Sequence, residues 1–315
     1  MLHIGPVPLR NSVLLAPMAG FADYPMRRMV WQLGGGLTVG EMVASQARLW
    51  NTRKSTQRRR DDGDAGPRVV QLAGSDPAQL AEAARAQVGE GAQIIDLNFG
   101  CPAKKVCNRA AGSALLGDVA LVGRIVEAVA RAVTVPVTAK IRTGLRPDLR
   151  NGCDVARMVE AAGGRSLVVH GRTRACRFLG RAEHATLRAI RACVRIPVFA
   201  NGDILGSESM RSALAQSGAD GVMIGRAAVG APWLPGVLAG AQEPDRVRQR
   251  GIMLEHVESM HDFYGCAAYR LVRKHVAAYL RQLDLAVFLS AFNALEDNRA
   301  QLRFLQHICT REEIS

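Results

Sequence analysis

The chain has 315 residues, of which 48% are apolar and 22% charged. That composition excludes general disorder and is long enough for one large α/β barrel with an appended module. Basic residues outnumber acidic ones 41 to 28, a net charge of +13, which suggests a polyanionic partner, a compositional habit of Arg usage being the alternative. Only 5 of the 41 are Lys and 36 are Arg, and residues 243–315 hold 10 basic against 10 acidic, so the excess lies in residues 1–242.

Seven cysteines without C-x-x-C spacing predict neither a disulfide framework nor a structural zinc site. No signal peptide and no apolar stretch long enough for a bilayer is read, so a soluble, cytoplasmic protein without a membrane partner is expected.

The opening segment Ile4-Gly5-Pro6-Val7-Pro8-Leu9 is too rich in proline for a central strand and is expected to plug a barrel floor. Short β-branched runs then alternate with Ala-rich amphipathic stretches. The runs are Val13–Ala16, Leu37–Val39, Arg68–Leu72, Ile94–Asn98, Val137–Ile141, Ser166–His170, Val198–Asn201 and Gly221–Ile224. Helices are predicted over Pro77–Glu90, Val119–Ala132, Asp154–Ala162 and Glu208–Ser217. Asp76 before Pro77 reads as an N-cap followed by Pro at the first helical position, and Gly163 and Gly218 read as helix stops.

Eight such units over about 215 residues predict a (β/α)8 TIM barrel. A doubly wound open sheet rarely repeats eight units so evenly. After Pro235 the pattern turns helical throughout, with Ile252, Leu254, Val257 and Met260, then Val276, Tyr279, Leu280 and Leu283, at helical spacing. The expected division is a catalytic barrel over 1–242 and an all-helical domain over 243–315.

In such a barrel the chemistry sits at the C-terminal strand ends. Those ends read Pro17-Met18-Ala19-Gly20, Gly40-Glu41, Gln71-Leu72-Ala73-Gly74, Asn98-Phe99-Gly100-Cys101-Pro102, Lys140-Ile141-Arg142-Thr143-Gly144, His170-Gly171-Arg172-Thr173, Asn201-Gly202-Asp203 and Gly225-Arg226. Gly202, Gly225 and Arg226 read as a phosphate grip, because bare backbone approaches an anion closely and a guanidinium forks onto it. Glycine turns also serve simply to let a chain leave a strand. No G-x-G-x-x-G follows a strand and no Gly-Lys pair occurs, which excludes a Rossmann site and a P-loop.

Cys101 differs from the other cysteines because Gly100 and Pro102 force it into a turn at the mouth, with Lys104 and Lys105 nearby to favour thiolate. Cys153, Cys193 and Cys309 read as inert core thiols. His256 and His261 read as surface histidines on a helix, and no metal site is expected. Three basic runs are expected to converge on one side of the mouth. They are Arg48–Arg60, the eight arginines from Arg165 to Arg195, and the tail group Arg270, Arg273, Lys274 and Arg281.

Together Pro17-Met18-Ala19-Gly20, Asn98-Phe99-Gly100-Cys101-Pro102-Ala103-Lys104-Lys105-Val106, Lys140-Ile141-Arg142-Thr143-Gly144, His170-Gly171-Arg172-Thr173-Arg174, Ala200-Asn201-Gly202-Asp203 and Ile224-Gly225-Arg226-Ala227 resemble the tRNA-dihydrouridine synthases, in particular the bacterial B-type subgroup. The tail segments His261-Asp262-Phe263-Tyr264-Gly265 and Phe292-Asn293-Ala294-Leu295-Glu296 fit the same subgroup. The tail departs from it at Ala278, where the subgroup has an aromatic residue, and over Gly265-Cys266-Ala267-Ala268-Tyr269.

The resemblance implies an FMN enzyme that reduces the C5–C6 double bond of a D-loop uridine in tRNA, at position 17, with NADPH or NADH as hydride source. It implies that Pro17, Met18 and Ala19 touch the flavin, that Gln71 and Lys140 bond its ring, and that His170 lies beside it. Asn201, Gly202, Asp203, Gly225 and Arg226 would hold its phosphate, and Cys101 would be the catalytic acid. Asn98, Arg142, Arg172, Arg174, Arg273 and Lys274 are the candidate RNA contacts. A monomer with tRNA as partner is expected.

A thiol of ordinary pKa ~8.5 is mostly protonated at neutral pH and can deliver a proton to C5. Two other readings use the same residues. A small-molecule FMN oxidoreductase, similar to dihydroorotate dehydrogenase, needs neither the basic loops nor the helical tail. A non-enzymatic RNA-binding regulator does not need Cys101 and Lys140 intact.

Overall fold

The computed structural model describes residues 1–61, 63, 65–103 and 111–311. Eight parallel strands curl into one sheet: β1 (Val13–Leu15), β2 (Val43–Ala44), β3 (Val69–Ala73), β4 (Ile94–Asn98), β5 (Val137–Arg142), β6 (Leu167–His170), β7 (Val198–Asn201) and β8 (Gly221–Ile224). Their spatial order is β1-β8-β7-β6-β5-β4-β3-β2. Parallel bridges Leu15↔Thr38 and Val39↔Val69 close the circle between β1 and β3. The barrel expected from the sequence is therefore the fold observed.

One strand differs from its reading. Leu37–Val39 supplies the closing bridges, while the regular second strand is the two-residue β2 that follows. Gly36 sits so close to β1 that a Cβ there would meet the Val13 carbonyl oxygen at 2.5 Å. The chain is thus pressed against β1 before it can run out as a long ladder.

Helices cover the barrel: α1 (Tyr24–Gln32), α2 (Arg53–Arg59), α3 (Pro77–Gly89), α4 (Val119–Ala132), α5 (Gly152–Ala161), α6 (Ala185–Ala192), α7 (Ser207–Ser217) and α8 (Leu234–Leu238). Asp76 caps α3 by accepting the Gln79 N–H at 2.8 Å, and Gly218 ends α7 in the left-handed conformation, φ 63°, both as the sequence predicts. On α4 the residues Val122, Ile125, Val126 and Val129 recur at helical spacing and are buried against the outer faces of the strands.

The N-terminal segment forms a two-residue hairpin, His3–Ile4 with Val7–Pro8. Ile4 and Leu9 are buried in one cluster with Leu14, Val69, Ile94, Val168, Phe199 and Met223 of the barrel interior, so the segment does plug the floor.

The tail is helical: α9 (Arg246–Tyr264), α10 (Ala268–Leu271), α11 (Arg273–Gln282), α12 (Leu289–Ala294) and α13 (Asn298–Arg311). Its core of Ile252, Val257, Met260, Val276, Tyr279, Phe292 and Leu305 also takes in Met29 of α1 and Trp233. The tail thus shares its core with the barrel. Tyr264 reaches across and donates to Asp23 Oδ2 at 2.8 Å. Among the described residues no helix is long and apolar enough to cross a membrane.

His256 and His261 are not surface residues. They are 1% and 8% exposed. His256 Nδ1 pairs with the Tyr279 hydroxyl at 2.9 Å, and burial, with His275 close by, pulls its pKa down to about 3. Both lie on the face of α9 that packs on α11 and α13, a face that the polar character of histidine disguises in the sequence.

Candidate active site

Alternation along the strands decides which side chains enter the barrel. Above the apolar floor the inward positions become polar: Gln71 on β3, Asp96 and Asn98 on β4, Thr138, Lys140 and Arg142 on β5, His170 on β6 and Asn201 on β7. Register sets Gln71 opposite Asp96, Asp96 opposite Thr138, Asn98 opposite Lys140 and His170 opposite Asn201. A cavity of about 350 Å³ opens over this layer. All the residues that the sequence assigns to a cofactor line it, from Pro17, Met18 and Ala19 to Gly225 and Arg226, and so does Cys101.

Cys101 sits half-buried on the turn that leaves β4. Asn98 Oδ1 accepts the Gly100 and Cys101 N–H groups at 3.2 and 3.0 Å. The Cys101 carbonyl accepts from Ser113 Oγ at 2.9 Å. Arg142, 1% exposed, donates to the carbonyls of Gly100, Thr173 and Arg177 at 2.7, 2.9 and 2.7 Å. Lys104, Lys105 and Cys107, and with them the expected influence of the two lysines on the thiol, lie outside the described residues.

Lys140 Nζ donates to Asn201 Oδ1 at 2.8 Å, and Asn201 Nδ2 donates to the Met223 carbonyl at 2.8 Å. Burial first, and the Arg142 guanidinium second, lower the Lys140 pKa to about 7, against the opposing pull of Asp96 and Cys101. Burial pushes the Asp96 carboxyl up. Burial also pushes His170 far down, helped by the positive charges of Lys140, Arg142, Arg172 and Arg226. His170 is therefore neutral, and its Nε2 accepts from Arg172 at 3.2 Å, which leaves its proton on Nδ1.

The loops after β7 and β8 form a strained cradle. Gly202 has φ +111° and Asp203, with a Cβ, is held at φ 52°. Arg172 and the Ala182 N–H each reach Asp203 Oδ2 at 2.7 Å. Burial raises the Asp203 carboxyl, but these donors outweigh it and hold the pKa below the ordinary value. His184 Nε2 holds the Gly202 carbonyl at 3.1 Å. Arg226 is tied loosely, 3.7 Å from Asp203 Oδ1 with its side chain 70% exposed. A Cβ on Gly225 would meet only Ala16 Cβ, at 4.0 Å, so bare backbone faces the cavity there.

The candidate RNA contacts divide. Asn98, Arg142 and Arg172 are buried at 8, 1 and 5% exposure and hold loops, Arg172 by the Leu179 and Gly180 carbonyls and Asp203. Desolvation selects for that role, because a guanidinium aimed inward must collect carbonyls. Arg273 packs over Tyr269 and donates to the Leu295 carbonyl at 3.1 Å, within the tail. Lys274 reaches from the tail to the Phe21 ring at the cavity, 5.1 Å away, and Arg174 is half-buried on the mouth loop.

The run from Arg165 to Arg195 is also split, which corrects the expected convergence. Arg188 donates to the Ala215 and Gln216 carbonyls at the end of α7, and Arg191 pairs with Asp220 just before β8. Both belong to the barrel floor. Strand-to-helix alternation carries one linear run to both ends of the barrel.

Three residues at the site escaped the sequence. Asp96 and Thr138 read as members of apolar runs, although their even spacing with Asn98 and Lys140 places them on the same inward face. Phe178, 56% exposed, stands at the cavity with Arg142 and Arg226 over its ring at 5.5 and 5.6 Å. Among the described residues no cluster of His, Cys, Asp and Glu could hold a metal ion.

The family described as dihydrouridine synthase (Dus) matches residues 14–314. The tRNA-dihydrouridine synthase B of Pseudomonas aeruginosa is 51% identical, over 96% of this chain and 93% of that protein. That of Pseudomonas syringae pv. tomato is 52% identical over 95% and 92%, and that of Escherichia coli 46% identical over 97% and 98%.

Proposed function

The chain belongs to the dihydrouridine synthase family and acts as a tRNA-dihydrouridine synthase, an oxidoreductase; from that premise we propose that its barrel mouth holds FMN and reduces a D-loop uridine of tRNA at position 17, with NADPH as the hydride source. The observation that carries the reading is the meeting of Lys140, Cys101 and Arg226 at one cavity of about 350 Å³.

The residues present fit the cofactor. Bare backbone at Gly225 and the loosely tied Arg226 suit a phosphate. The carboxamides of Gln71 and Asn201 and the ammonium of Lys140 suit a polar ring edge. When bound, the flavin supplies the hydride for uracil C6.

The chain's own residues do the rest. Lys140, with a pKa of about 7, gains a proton readily when negative charge builds beside it. Cys101 holds a proton on Sγ for uracil C5, on a turn fixed by Asn98 and Arg142. His170 stays neutral and its Nδ1–H remains a donor. The exposed apolar ring of Phe178 and the cations around it offer a flipped base a surface to slide along, which offsets part of the few kcal/mol lost on unstacking.

The deciding experiment is dihydrouridine mapping in tRNA from a strain lacking this protein and the same strain with it restored. Loss and recovery at one D-loop position support the reading. An unchanged pattern, or a purified protein that releases no FMN on denaturation, would overturn it.

A further inference from the structure

Asp96 is a buried carboxylate that the reaction does not use directly. Thr138 Oγ1 donates to its Oδ1 at 2.6 Å, and Gln71 Nε2 donates to its Oδ2 at 2.7 Å. Gln71 Oε1 in turn accepts from Asn98 Nδ2 at 2.8 Å. Asn98 Oδ1 accepts the N–H groups of Gly100 and Cys101. The chain of bonds thus runs from Asp96 to the turn that carries the thiol.

Its polarity has a single solution. Both Asp96 oxygens accept, from Thr138 and from Gln71, so Gln71 turns its NH2 group toward Asp96. Backbone N–H groups only donate, so Asn98 turns its carbonyl toward the Cys101 turn. Two carboxamides caught between an accepting carboxyl and a donor-only turn line up head to tail, and neither can flip without setting like against like. A buried network of this kind rigidifies when fully satisfied and is costly when one member is reversed.

We propose that Asp96 is a positioning residue for Cys101, acting through the side-chain amides of Gln71 and Asn98. The proposal rests on the reading of Cys101 as the proton donor to uracil. It explains why a carboxylate is kept 3% exposed in the barrel wall, where burial alone would disfavour it. Asp96 fixes which end of Gln71 faces Asn98, and so which end of Asn98 faces the turn.

The logic is tested by inverting the polarity. In Asn98→Asp, acceptor-only groups flank the Gln71 carboxamide on both sides, and Gln71 can satisfy only one. Adding Asp96→Asn removes the conflict: the new amide donates to Gln71 Oε1 and accepts from Thr138, and the total charge of the cluster returns to its original value. Because both variants share the carboxylate at 98, any difference between them arises at position 96.

Two readouts are taken on the flavin-loaded protein: iodoacetamide labelling of the Cys101 peptide against pH, by mass spectrometry, and single-turnover reoxidation of the reduced protein by tRNA. Asn98→Asp is expected to slow labelling at neutral pH at least fivefold and reoxidation at least tenfold. The double variant is expected to recover most of both losses. Should Asn98→Asp fold poorly, its melting temperature is expected to lie below that of the double variant.

A double variant that labels, turns over and melts no better than Asn98→Asp would overturn the proposal, as would an Asn98→Asp protein that matches the parent. If the parent itself fails to reduce tRNA, the proposed function falls, while the labelling comparison still decides the role of Asp96.

Discussion

Lys140 keeps its proton in the unfolded chain up to about pH 10.5, but in the folded chain only up to about 7. Between those values the unfolded state binds more protons, so unfolding free energy rises with pH; below about 7 both states are protonated and the full cost of burial remains. In flavin-free protein, Lys140→Met is expected to remove that rise, seen as urea midpoints at pH 7 and pH 9.5 that no longer diverge through this residue. Equal pH slopes in the two proteins would mean that the ammonium is solvated. Cys101→Ala is expected to keep its flavin and its bleaching by NADPH, while reoxidation by tRNA slows ~10²–10⁴-fold, the usual worth of a positioned general acid. Reoxidation at the parent rate would leave Cys101 a turn residue. Arg226→Ala removes a charge-assisted contact from an already exposed side chain, so FMN affinity is expected to fall by ~1.5–3 kcal/mol with little change in folding. Fluorescence titration with FMN checks this, and an unmoved dissociation constant removes Arg226 from the phosphate grip.

The elements meet where α11 crosses the loop before α8. Gly230 has φ +83°, and a Cβ there would lie 2.6 Å from the Ala278 carbonyl carbon. Position 278, where the sequence departs from the B-type pattern, is therefore part of the seam between tail and barrel. Gly230→Ala combines left-handed strain with a backbone overlap, and strain of this kind costs ~1–3 kcal/mol. A fall in melting temperature is the expected result, and an unchanged one would show that α11 can give way. The same seam explains the misread histidines: His256 and His275 touch edge to face, 5.2 Å between ring centroids, inside a helical interface whose polar members look exposed in one dimension.

At the scale of the molecule the +13 charge has a definite use in the proposed reaction. Binding of tRNA is expected to weaken at least ~10-fold between 50 and 200 mM salt, because each phosphate contact releases counterions; a flat salt response would mean that phosphates are not the main contact. The slope is expected to follow charges at the mouth and the tail more than the total charge, because arginines such as Arg188 and Arg191 are committed to internal partners. Lys274 over Phe21 marks the place where the tail reaches the rim of the cavity. A barrel cut at residue 242 would uncover Met29 and Trp233, which the tail core buries.

Local chemistry determined much of this protein in advance. The alternation of β-branched runs with amphipathic stretches, proline and glycine punctuation and the eight polar strand ends settle the barrel, its mouth and the residues from Pro17 to Arg226 that line it, because each follows from neighbours a few positions apart. Register, burial and partner choice were decided only in three dimensions. Whether Arg142 meets RNA or three backbone carbonyls depends on chains 31 and 35 residues downstream. Whether His256 is solvated depends on helices that pack on it from elsewhere in the chain. The line of bonds from Asp96 to Cys101 depends on β3, β4 and β5 lying side by side at one register. Spacing along the chain reports the face a residue occupies; the desolvation and the partners it meets there are properties of the packed barrel.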